Sequence, residues 1–206
     1  MMVDTLSMDI VARVRQVVNT NEYSTCEIFA SPFANVSVQT HPALMPLLRS
    51  HVYYPDTPSA ADIWSVSAVE SDYLWDFAVE QLNPVWMPVL DYGADGHVVD
   101  VDQQARLIMI PSTRTVIVRD CAEKKVYIVG RDVRGLFVEL YRVVRGVHTA
   151  SAINSGAMAF HSSSVVRQGR GVCFVGDKGA GKSTALLAAA TSHLDGLSIL
   201  TNDRAF

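Results

Sequence analysis

Nowhere in the 206 residues does an apolar stretch reach the ~18 consecutive positions that a membrane-spanning helix needs. Residues 1–20 carry charges through their middle, so no secretory signal is evident either. Cysteine is scarce: Cys26, Cys121 and Cys173 are odd in number and have no CxxC spacing, which argues against a disulfide framework and suits reduced thiols in a cytoplasm. A cytoplasmic protein without a membrane partner is expected. Lys and Arg form no dense run and the formal net charge is −4, so no nucleic-acid surface is indicated. His41, His51, His97, His148 and His193 share no ligand spacing, and a zinc site is not expected. Internal repeats and low-complexity tracts are absent as well. What remains is a globular composition, 49% hydrophobic and 18% charged, long enough for one large or two small cores.

The first 150 residues read as a mixed α/β domain. Leu6, Ile10, Val14, Val17 and Val18 recur at helical spacing, which predicts an amphipathic helix over residues 4–19. Strands are expected at 26–30 and 35–39 around a Ser31-Pro32-Phe33-Ala34 turn, then a short helix at 42–50 and a strand at 63–69. Residues 51–96 hold all three tryptophans, Trp64, Trp75 and Trp86, among many prolines and tyrosines. This loop-rich stretch is expected to fill a core or a domain contact, with the wall of a substrate pocket as the less favoured reading. Three β-rich runs at 106–110, 115–118 and 125–129 predict a meander. A helix follows over 132–144, with Gly146 as its stop, covering the start of the next domain's sheet, and residues 150–156 are a small-residue link.

Function is concentrated near the end of the chain. Gly176-Asp177-Lys178-Gly179-Ala180-Gly181-Lys182-Ser183 fits the phosphate-loop pattern G-x-x-x-x-G-K-[ST] without a departure. Glycines let backbone N–H groups curl around a polyphosphate, and the following helix directs its positive end at the same anion. Lys182 would reach the β- and γ-phosphates; the Ser183 hydroxyl would join a Mg²⁺ shell. The context agrees, with an apolar run of buried-strand type at 171–175, containing Cys173 as a small buried residue, and good helix formers at 183–190. A glycine-rich turn that merely joins strand to helix is the weaker alternative. Residues 159–166 and 171–175 are both strand-like and separated by Arg167-Gln168-Gly169-Arg170, which predicts a hairpin, so the loop's strand has an antiparallel partner. Another strand at 197–201 ends in Asn202-Asp203, whose carboxylate would reach Mg²⁺ or a water on it.

A strand carrying a His, a Gly turn, a strand, G-D-x-G-x-G-K-S, a helix and a strand ending in an acidic position resembles the catalytic domain of HPr kinase/phosphorylase. That family shares a core with ATP-dependent PEP carboxykinases. The resemblance covers about the last fifty residues, 151–206. It implies an α/β fold of α+β character, in which a β-rich N-terminal domain precedes a P-loop nucleotide-binding domain that looks truncated. It also implies ATP and Mg²⁺ at Gly176 to Ser183 with Thr184 behind them, and an active-site role for His161. Asn202-Asp203 stands where the family usually has two acids, which leaves Asp203 alone as base or metal ligand. Lys178 replaces a small residue. The expected activity is phosphoryl transfer from ATP·Mg²⁺ to a hydroxyl of a protein, peptide or small molecule, with Lys182, His161 and Asp203 as catalytic groups. The chain is expected to be a truncated form, or to be completed by a homo-oligomer or a second polypeptide. The alternative is a nucleotide-binding regulatory or scaffold protein without transfer. PEP-carboxykinase-like chemistry would need an oxaloacetate site and a second metal site, and neither is found.

Overall fold

A computed structural model describes residues 5–21, 25–52, 63–89, 94–177, 179–192, 195–201 and 204–205. The chain divides into two compact units, Met1–His148 and Thr149–Phe206. The fold is mixed α/β, with five helices, an eight-stranded mixed sheet and a small four-stranded sheet among the described residues.

The first unit runs α1 (Thr5–Thr20), β1 (Thr25–Ala30), β2 (Asn35–Thr40), α2 (Leu44–His51), β3 (Ile63–Glu70), α3 (Leu74–Leu82), β4 (Met87–Val89), β5 (Ala94–Asp100), β6 (Ala105–Ile110), β7 (Thr115–Asp120) and β8 (Lys125–Gly130), then enters α4 (Val133–Asn154). Strand order is β1-β2-β3-β8-β7-β6-β5-β4. The expected meander is the antiparallel run β6-β7-β8, and β3 joins it by pairing parallel with both β8 and β2. Parallel neighbours require a crossover, and α2 supplies the one between β2 and β3. At the β1–β2 turn the Ser31 hydroxyl accepts from the Phe33 and Ala34 amides at 3.3 and 3.1 Å, so the side chain replaces missing ladder bonds.

Each face of this sheet has its own core. On one face Leu44, Met45 and Leu48 of α2 and Leu136, Leu140, Val143 and Val144 of α4 pack on Val66, Ile117 and Ile128. On the other, Ile10, Val11, Val14 and Val18 of α1 and Leu74, Trp75 and Ala78 of α3 pack on Val116, Val118 and Val129. Alternation along β7 explains the split, because successive side chains leave opposite faces of a strand. Each fully buried Leu, Ile or Val contributes about 1.5–3 kcal/mol.

Several expectations need correction. The helix expected to stop at Gly146 continues to Asn154 and ends instead at Gly156, whose φ of +88° supplies the left-handed residue. Its apolar stripe, Leu136, Leu140, Val143, Val144 and Val147, packs on the first unit's sheet. Much of the link expected at 150–156 is therefore helical. Within the aromatic segment, α3 and β4–β5 stand where loops were expected. The favoured reading of the rings as core filling holds for Trp75, in one core, and Trp64, packed against the other; Trp86 stacks on Trp75 at 5.9 Å. Tyr53, Tyr54 and Tyr92 lie outside the described residues.

The second unit contains β9 (Phe160–Arg167), β10 (Arg170–Val175), α5 (Lys182–Ala190), β11 (Leu197–Thr201) and β12 (Arg204–Ala205). The expected hairpin forms, β10 pairing antiparallel with β9. Gln168 and Gly169 turn it with φ of +50° and +74°, which matches the twist of the flanking strands. β11 and β12 pair with β9 on its other side. The expectation of a buried strand before the loop fails: β10 lies at the sheet edge and is largely exposed, Cys173 included. An apolar run specifies a strand, but only covering layers bury it.

Candidate functional site

The segment from Val175 to Thr184 links the end of β10 to the start of α5. Gly179 and Gly181 have φ of +87° and +82°, a region costly for L residues. A Cβ at either would meet nothing within 4 Å, so backbone conformation, not crowding, calls for glycine. Gly181 is also the N-cap of α5 and provides no side-chain cap. The amide of Ala185 donates to the Gly181 carbonyl at 2.9 Å, closing the first turn. Lys182, Ser183 and Thr184 form the first turn of α5, the end at which the helix dipole favours an anion.

Lys182 fastens the loop to itself. Its Nζ donates to the carbonyl oxygens of Gly176 and Asp177, each at 2.8 Å. Of the three donors an ammonium carries, these carbonyls take two. The amide of Ala180 donates to the same Asp177 carbonyl at 3.1 Å. Gly176 and Ala180 come so close that a Cβ on Gly176 would sit 3.1 Å from that of Ala180. Asp177 thus works through its carbonyl while its side chain is exposed. The sequence could not announce these carbonyl roles, because every residue has a carbonyl. Ser183 and Thr184 are exposed in the first turn of α5.

His161 is exposed on β9. The β9–β10 register pairs Ser162 with Val175; continued by one residue, it sets His161 opposite Gly176. On the other side His161 pairs with Arg204 of β12. Alternation gives His161 the same face as Ser163 and Val165. Lys178, Asn202 and Asp203 lie outside the described residues, so the structure gives no position for the expected carboxylate. Among the described residues no group of three or more His, Cys, Asp or Glu could hold a metal. The neighbouring Ser162, Ser163 and Ser164 are buried. Ser164 donates to Cys173 Sγ across the hairpin at 3.1 Å and lies 3.3 Å from the Ser162 hydroxyl. The Ser-Ser-Ser run beside a glycine loop was the available signal for this polar strand.

Two buried titratable groups belong to the first unit. Burial pushes His148 down to about 4, its Nδ1 lying 2.8 Å from the Ser31 hydroxyl. Burial also raises the Glu139 carboxyl, against the opposing pull of Arg142 and Thr113, which donate to Oε1 at 2.8 and 3.0 Å. Both serve the packing of α4. No family model, curated protein or solved structure matches this chain.

Proposed function

We propose that the segment around Gly176–Ser183 is the ATP loop of an HPr-kinase-like phosphotransferase, with the P-loop architecture that this resemblance implies. One observation carries the reading: Lys182, at the N-terminal end of a helix whose N-cap is a glycine, spans two loop carbonyls. Left-handed glycines on either side of Ala180 support it. A structural turn would need the glycines, but not a lysine tethered to the loop carbonyls at the start of a helix.

In this reading the first-turn amides and Lys182 balance the charge that spreads over a transferring phosphoryl group, so catalysis is mainly electrostatic. Ser183 and Asp203 would hold Mg²⁺, which supplies charge neutralisation between the phosphates. His161, beside the loop's first glycine in register, orients the acceptor hydroxyl or takes its proton, with Asp203 as the other candidate base. The acceptor is a hydroxyl of a protein, peptide or small molecule, and the reaction belongs in a cytoplasm.

The test is transfer from γ-labelled ATP to a panel of hydroxyl acceptors, with Lys182→Ala and Asp203→Asn alongside. Labelled product that falls by about a hundredfold or more in Lys182→Ala supports the kinase. ATP binding without labelled product across the panel would replace it with a nucleotide-sensing regulator. Asn202, at a position where a second acid is expected, is the observation that keeps that second reading in view.

A further inference from the structure

We propose that the first unit carries a separate binding site for a small carboxylate at the β5–β6–β7 end of its sheet. A cavity of about 210 Å³ is lined there by Asp100, Asp102, Gln103, Gln104, Arg106 and Arg119, with Ala105 and Cys121 completing it. Taking about 30 Å³ per liquid water, it has room for roughly seven waters or an acid of a few carbons.

The charges in this cavity are not arranged for stability. Arg106 and Arg119 face each other directly across the β6–β7 ladder, and like charges in such a pair repel. Arg106 is relieved by Asp100, its other cross-strand partner, whose carboxylate accepts from Nε at 2.6 Å. Arg119 has no such relief. Its Nε is buried without a hydrogen-bond partner, and among the described residues no acceptor meets its guanidinium. The ring of Trp64, 5.4 Å from the guanidinium carbon, steadies the cation but accepts no in-plane hydrogen bond. One arginine thus lines the cavity without a carboxylate partner among the described residues.

The rest of the lining selects the ligand. A planar carboxylate matches the guanidinium fork. Gln103 and Gln104 are exposed and carry amide donors that a second oxygen would use. Asp102 stays ionised, because the Gln104 and Ala105 amides donate to its Oδ1, each at 2.6 Å, and hold its carboxyl below the usual range. With Asp100 it gives the cavity two negative charges against two positive ones. That balance tolerates a monoanion and opposes a phosphate dianion. All these residues lie in the first unit, so the site is independent of the nucleotide reading.

Titration of the full chain with sodium propionate, followed by the side-chain amide NMR signals of Gln103 and Gln104, tests the proposal. Saturable shifts with a Kd of about 10 mM or tighter are expected. Arg119→Gln should weaken binding at least about tenfold, and Arg119→Lys should weaken it too, because the fork is lost while the charge is kept. Inorganic phosphate should bind less tightly than propionate. No saturable shift in the wild-type chain, equal affinity in a folded Arg119 variant, or tighter binding of phosphate would each overturn the site. The wild-type titration decides even if a variant fails to fold.

Discussion

β7 and β10 are of equal length and each carries a run of three or more apolar residues, yet one is buried along nearly its whole length and the other exposed along nearly its whole length. The contrast extends to their units. The eight-stranded sheet has helices on both faces and a continuous core on each. Among the described residues of the second unit, Ala152, Val165 and Leu186 are the buried apolar ones, while Val172 and Val175 of β10, Leu187 of α5 and Ile199 and Leu200 of β11 remain exposed. Strand character is local, but burial is a property of neighbours. The first unit is therefore held by packing, and the loop segment by backbone geometry and a tethered lysine.

The largest effect should come from emptying the packed unit. Ile117→Ala removes a fully buried side chain from a two-sided sheet and should cost ~2–5 kcal/mol in urea unfolding. Val172→Ala on the exposed strand should stay within ~0.5 kcal/mol. Similar losses for the two would erase the comparison.

The two α4 glycines sharpen it further. A Cβ on Gly135 would collide with the backbone carbonyl of Thr113, so Gly135→Ala should destabilise by ~1–3 kcal/mol despite alanine's better helix propensity. At Gly146 nothing lies within 4 Å, and Gly146→Ala should stabilise by ~0.5–1 kcal/mol. Paired thermal melts would read the opposite signs.

A comparable effect should depend on pH. His148 is lowered from 6.5 to about 4 by burial, so the folded state binds fewer protons than the unfolded chain between those values. Stability is therefore intact above the unfolded pKa and is lost as pH falls from about 6.5 toward 4. From pH 7.5 to 5 the loss should be ~2 kcal/mol, and His148→Gln should remove that part of the slope. An unchanged slope in the variant would assign the acid sensitivity to other groups.

Much of this was legible before the coordinates, for reasons that particular residues make plain. Ile10, Val14 and Val18 recur at helical spacing, and the runs at 106–110, 115–118 and 125–129 alternate between punctuating turns; both patterns are local. The parallel β3–β8 pairing was not legible, because the chain between them passes through α3 and four other strands. α3 escaped notice because its tryptophan and phenylalanine favour strand and helix weakly alike, and its stop is Asn83 in a left-handed conformation, not a glycine. Gly146 misled for the opposite reason: inside a helix whose next residues, Val147 and His148, are buried, a glycine does not end anything. At the loop the glycines and Lys182 were readable, whereas the carbonyls that Lys182 binds and the edge position of β10 come only from the fold.

The most direct measurement for the central claim is calorimetric titration of Mg²⁺·ATP into the full chain and into Lys182→Ala. The account predicts saturable heat for the wild-type chain and a loss of about tenfold or more in affinity when the tethered ammonium is removed. No heat in the wild-type chain, or equal binding by both proteins, would contradict it.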